Sequence, residues 1–158
     1  MTYLAHLALL ILATAIERTW PGWLLVREQG PHLVLATVVS IALSAGPVAG
    51  CFAGVIGGLL LASMQGAWLG GTFIAYMALG IVVGLLRGQL LAERVLVASL
   101  VALLALPVVE LIRLVFSAPP SPGPWLLHTL IAAPYTALVA APVFAAVHGV
   151  TSLLRPEP

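Results

Sequence analysis

The chain contains no aspartate and no lysine, and its six arginines and five glutamates bring charged residues to only 7% of 158 positions. Soluble domains carry about 25% charged residues, so this composition cannot cover a water-facing surface. A net charge of +1 argues against nucleic acid or an anionic polymer as partner, because that binding needs clustered basic side chains. The single cysteine, Cys51, cannot form an intramolecular disulfide and leaves the redox compartment open. With no hydrophilic block and 62% apolar residues, residues 1–158 read as one integral membrane domain.

What the chain does have is long apolar runs. With about 20 residues per crossing as the yardstick, they fall at about 2–19, 31–45, 47–64, 69–87, 94–116 and 125–154. The expected fold is an all-α bundle of six transmembrane helices. Leu4 to Leu12 followed by Ala13-Thr14-Ala15 resembles a signal peptide, but no Lys or Arg stands in the first five residues, so a retained first helix is expected. Gly46-Pro47 allows only a tight turn, making the second and third helices an antiparallel hairpin. Ser117 to Pro124 holds four prolines and reads as a stiff connector. Pro107 in the fifth run, and Pro134 and Pro142 in the sixth, predict kinks or tilt.

Six spans put both termini on one side and all four tryptophans (Trp20, Trp23, Trp68, Trp125) on the other, where an amphipathic ring is at home at the lipid–water boundary. Charge does not orient the chain: Arg87, Arg94 and Arg155 balance Arg18, Arg27 and Arg113.

Glycines give the packing signal. Gly46, Gly50, Gly54 and Gly58 stand four apart, and Gly80, Gly84 and Gly88 repeat the spacing. In a water-soluble helix each would cost about 1 kcal/mol relative to alanine. Within lipid, small residues let helix backbones approach closely and drive association. These seven positions are therefore expected to be helix-packing contacts.

Few polar groups could carry chemistry. Glu110 and Arg113, three apart on the fifth run, share a helix face and can pair; ionisable residues inside a span raise a functional reading, against which stands a simple neutralised pair with Arg113 reaching the interface. The connector from Glu17 to Gly30, with Trp20 and Trp23, reads either as an anchoring loop or as a ledge for a partner. Trp20, Trp23, Glu110 and Arg113 are the candidate partner contacts. His6 and His148 map to one side and His32 and His128 to the other, without the spacing of a metal site. No nucleophile, nucleotide or paired-carboxylate motif is present, so no catalytic, cofactor-binding or metal residue is expected, and no enzyme activity.

The order of features resembles a family. Pro31-His32-Leu33-Val34-Leu35 opens the second helix, and Gly46-Pro47 forms the turn. Gly50, Gly54, Gly57, Gly58, Leu59 and Leu60 line the third helix. Leu69-Gly70, Gly80/Gly84 and Glu110-Leu111 follow. Together these are similar to the rod shape-determining protein MreD family over nearly the whole chain. The chain departs from that pattern at His32 and Ala62, where the family commonly has aspartates.

The resemblance implies a non-catalytic scaffold in the bacterial inner membrane, multi-pass, with termini in the cytoplasm. Its implied partners are an MreC-like single-span protein, membrane lipid and, indirectly, MreB, RodA and a class B penicillin-binding transpeptidase, in peptidoglycan synthesis and cell-shape maintenance. It also implies a fold similar to the substrate-binding subunits of energy-coupling-factor transporters, so the alternative function is such a vitamin-binding subunit. A vitamin pocket needs convergent polar groups; the candidates are Thr37, Ser40, Gln65, Thr72, Tyr76, Thr129 and Tyr135.

Overall fold

The computed structural model describes residues 2–21, 30–65, 69–88, 94–116 and 122–154. Among them the secondary structure is helical throughout, in the order α1 (Thr2–Arg18), α2 (Leu33–Ala45), α3 (Pro47–Gln65), α4 (Leu69–Leu86), α5 (Arg94–Phe116) and α6 (Pro122–Leu154). Trp23, Arg27, Glu28, Trp68, Glu93, Arg155 and the Pro119-Pro120 pair lie outside the described residues.

Three helices contain stretches long and apolar enough to cross a membrane: Pro47–Met64, Val95–Phe116 and Gly123–Leu153. Leu33–Ala45 and Gly70–Leu86 are apolar but shorter. Only 28% of the α5 stretch and 33% of the α6 stretch is buried. Their outward faces carry Leu100, Leu104, Leu111, Val115, Leu130 and Leu138, all more than half exposed. A wall of that kind belongs in hydrocarbon.

The shortest helix sits in the middle. α2 touches each of the other five, and every residue from Leu33 to Ala42 is buried. At 1.5 Å per residue its 13 residues extend about 20 Å, less than the roughly 30 Å of a hydrocarbon core. Burial on all sides explains its composition: a helix with no lipid or water face needs no polar stripe. Thr37 and Ser40 are accommodated because their hydroxyls donate to the carbonyls of Leu33 (2.8 Å) and Ala36 (2.7 Å) one turn back.

α2 and α3 are joined through Gly46 alone, at φ 94°, a left-handed backbone that favours glycine. The Gly46 N–H closes α2 on Ala42 O at 2.9 Å, and the Gly46 carbonyl accepts from Gly50 N–H at the start of α3. The two helices run antiparallel: Gly50 lies against Ala42, and Gly57 against Val38 and Val34.

α3 and α4 form the most extensive helix pair, and their glycines meet backbone. A Cβ built on Gly50 would lie 2.3 Å from Gly80 O, and one on Gly80 would lie 2.0 Å from Gly50 O. A Cβ on Gly54 would clash with the Tyr76 carbonyl and one on Gly84 with Pro47 and Gly46, and Gly58 stands against Phe73 and Tyr76. The contacts step by four on both helices in opposite directions. Tyr76 and Thr72 continue the α4 ladder where glycine stops, because Gly54 and Gly58 across from them supply the space.

Two expectations need correction. Gly88 is not a packing position: it follows the end of α4, and a Cβ there would meet nothing within 4 Å. The proline-rich connector is shorter than expected, since α6 begins at Pro122 and includes Pro124. Prolines are tolerated in a first helical turn, where the N–H they lack has no intrahelical partner. α5 and α6 run unbroken through Pro107, Pro134 and Pro142. At 33 residues α6 extends about 50 Å, more than a bilayer core requires of an upright helix.

Candidate functional site

Ionisable side chains collect at one end of the bundle, where α1, α3 and α5 finish and α2, α4 and α6 begin. Two constellations are built there, each around a glutamate.

The first closes the open end of α2. His32 occupies the N-cap position and makes no side-chain cap hydrogen bond. Leu33 N–H donates to Pro31 O at 3.0 Å, and Val34 N–H would be stranded in a fully buried site were it not for α1. Glu17, in the last turn of α1, accepts from Val34 N–H through Oε2 at 3.0 Å. A carboxylate there also faces the positive end of the helix dipole. Its other oxygen lies 3.4 Å from His32 Nδ1, a close polar contact in which no hydrogen bond is formed. The His32 backbone N–H donates to Thr136 Oγ1 of α6 at 3.1 Å. The first and last helices thus hold the start of the central one. Next to this cap, Arg18 reaches across to the Met64 carbonyl near the end of α3.

The second constellation joins α5 to α6. Arg113 Nη1 donates to Glu110 Oε1 at 2.7 Å, and Trp125 Nε1 donates to the other carboxylate oxygen at 3.3 Å. Thr129, one turn along α6, donates to the Trp125 carbonyl. The side chains of Glu110 and Arg113 are 15% and 26% exposed, which places the pair at the rim of the packed core. The buried Tyr76 of α4 lies within electrostatic range of Glu17, Glu110 and Arg113, and His128 within range of His32, Glu110 and Arg113.

The structure therefore brings Glu110, Arg113, Trp125, His32 and His128 to one end. It also keeps the contacts of the two glutamates apart. Glu17 serves α2, Glu110 serves Arg113 and Trp125, and no hydrogen bond or ion pair links the two glutamates' partners among the described residues. Trp20 is half-buried at the same end, while Trp23 lies outside the described residues. The cap by Glu17 is the functional feature that sequence reasoning missed. Its one signal is a buried helix start, Pro31-His32-Leu33, without Ser, Thr, Asp or Asn in the cap position.

Of the candidate vitamin-pocket residues, Thr37, Ser40 and Thr129 spend their hydroxyls on carbonyls of their own helices. Thr72 and Tyr76 are buried against α3, and the Gln65 side chain lies outside the described residues. Among the described residues no group of three or more potential metal ligands occurs. At the other end of the bundle His6 meets Thr151 at 3.3 Å, tying α1 to α6.

Glu17 is engaged through one oxygen and Glu110 through both, so the arrangement is one of joints between helices. Glu110→Gln is expected to keep the Trp125 contact and lose only the ion pair, with Arg113 free to extend toward the interface. The expected cost is about 1 kcal/mol or less, read as a small shift in thermal unfolding in detergent; a large loss would give the pair a greater role. Comparison with known families, with curated proteins and with solved structures finds no match for this chain.

Proposed function

We propose that this protein is a six-crossing, MreD-like membrane scaffold of the bacterial cell-elongation machinery, working in the inner membrane with an MreC-like single-span partner. One observation carries the reading: the hydroxyls and carboxylates described above are committed to capping and joining helices, while the outward faces of α5 and α6 are apolar. A bundle of that kind offers neighbours a shaped surface. Its means of association are close helix approach over small residues and a few polar contacts that set register.

α1, α2 and α4 are short for a crossing, and the reading supplies their setting. α2 is enclosed by protein from Leu33 to Ala42, so its 13 residues need not match the bilayer. α1 and α4 bring Trp20, Arg18 and Arg87 to their ends, side chains suited to the boundary.

The test is co-purification of the tagged full-length chain from membranes in mild detergent. Recovery of a single-span protein with a large extracytoplasmic domain, together with loss of rod shape on depletion, is the expected outcome. Recovery of an ATPase module with vitamin-dependent stabilisation would replace this reading with the transporter one.

A further inference from the structure

At the end of the bundle opposite the glutamates, the α2–α3 turn, the end of α4, the start of α5 and the last third of α6 line a partly open cavity of about 290 Å³. Ser44, Gly46, Pro47, Arg87, Phe144 and His148 are among its lining residues. Three of these bring polar groups that the fold does not use up. Arg87 makes no ion pair or hydrogen bond among the described residues, although its Nη1 lies only 3.5 Å from where a Gly46 Cβ would stand. Ser44 Oγ is buried without a hydrogen-bond partner. The His148 ring is stacked on Phe144 at 5.7 Å and 8° between planes, which fixes the plane in which its nitrogens lie.

An unpaired guanidinium beside an unsatisfied buried hydroxyl is a site awaiting an acceptor. Among the described residues no acidic side chain lines the cavity. Helix ends of both signs meet there, α2 and α4 by their C-termini and α3 and α5 by their N-termini, so backbone dipoles largely cancel and preference for an anion comes from Arg87. The volume exceeds what a lone carboxylate would fill. A phosphate offers several acceptor oxygens, enough for a guanidinium, a hydroxyl and an imidazole to bind from different sides, and guanidinium–phosphate pairs are among the stronger charge-assisted hydrogen bonds.

We propose that this cavity binds an anionic phosphate, either the headgroup of a phospholipid of net negative charge or free phosphate. The inference does not depend on the scaffold reading.

The experiment uses the full chain in neutral detergent, with thermal stability and equilibrium binding measured in three arms. These are micelles doped with phosphatidylglycerol, micelles doped with phosphatidylcholine, and inorganic phosphate without lipid. Stabilisation by phosphatidylglycerol alone assigns the lipid source, and stabilisation by inorganic phosphate assigns the soluble one. Either effect should weaken at high salt and fall about tenfold in affinity in Arg87→Gln, with a smaller loss in Ser44→Ala. Arg87 is exposed and unpaired among the described residues, so its replacement leaves the fold intact. Equal response to phosphatidylglycerol and phosphatidylcholine, no response to any arm, or unchanged affinity in Arg87→Gln would overturn the proposal.

Discussion

Gly80→Ala is expected to abolish the native α3–α4 contact. The added methyl would stand 2.0 Å from the Gly50 carbonyl oxygen, and backbone cannot rotate away as a side chain can. The helices must separate along their length, losing close contact at Gly54, Gly58 and Gly84 as well, since all four lie on one groove. Overpacking a core costs about 1–3 kcal/mol when side chains can adjust; a clash between two main chains should reach about 3 kcal/mol or more. The measurable result is a detergent-purified protein that aggregates or unfolds well below the wild type. Gly54→Leu should fail in the same way. Gly70→Ala is the internal control, because a Cβ there meets nothing within 4 Å. If Gly80→Ala and Gly70→Ala melt alike, the groove does not hold the bundle.

The second large effect belongs to Glu17. Glu17→Ala leaves the Val34 N–H buried without an acceptor, at about 2–3 kcal/mol, and removes a negative charge from the start of the central helix. Glu17→Gln keeps an acceptor at the same reach and should recover most of the loss. Hydrogen exchange localises the effect: the first turn of α2 should lose protection in the alanine variant while the α3–α4 pair keeps it. Indistinguishable behaviour of the two variants would mean that the bond from Glu17 to Val34 contributes nothing.

These two sites differ in how plainly the sequence announces them. The groove is legible because it is periodic: four-residue glycine spacing inside apolar runs has few other uses, and Gly46-Pro47 punctuates the chain where α2 becomes α3. Periodicity ran past its warrant at Gly88, since spacing alone does not mark where a helix stops. It also could not name Tyr76 and Thr72 as the continuation of the α4 ladder, because the room they occupy is created by Gly54 and Gly58 on another helix. The start of α6 was hidden by the opposite habit, reading Pro122 and Pro124 as breakers when a first turn accepts them. Glu17 was hidden more deeply. A cap supplied from a neighbouring helix leaves no local pattern, and only the enclosure of α2 makes its unpaired amide a problem to be solved. The cavity at Arg87 has the same character, because Ser44, Arg87 and His148 are unremarkable apart and meet only through the turn, the end of α4 and the far part of α6.

The enclosure of α2 bears on how the molecule is made. Its start is held by a residue emerging early in synthesis, Glu17, and by one emerging late, Thr136. Until α6 has been synthesised the acceptor for the His32 amide does not exist, so α2 can have its first clasp but not its last. A chain halted before α6 would leave that flank of α2 without the helix that covers it.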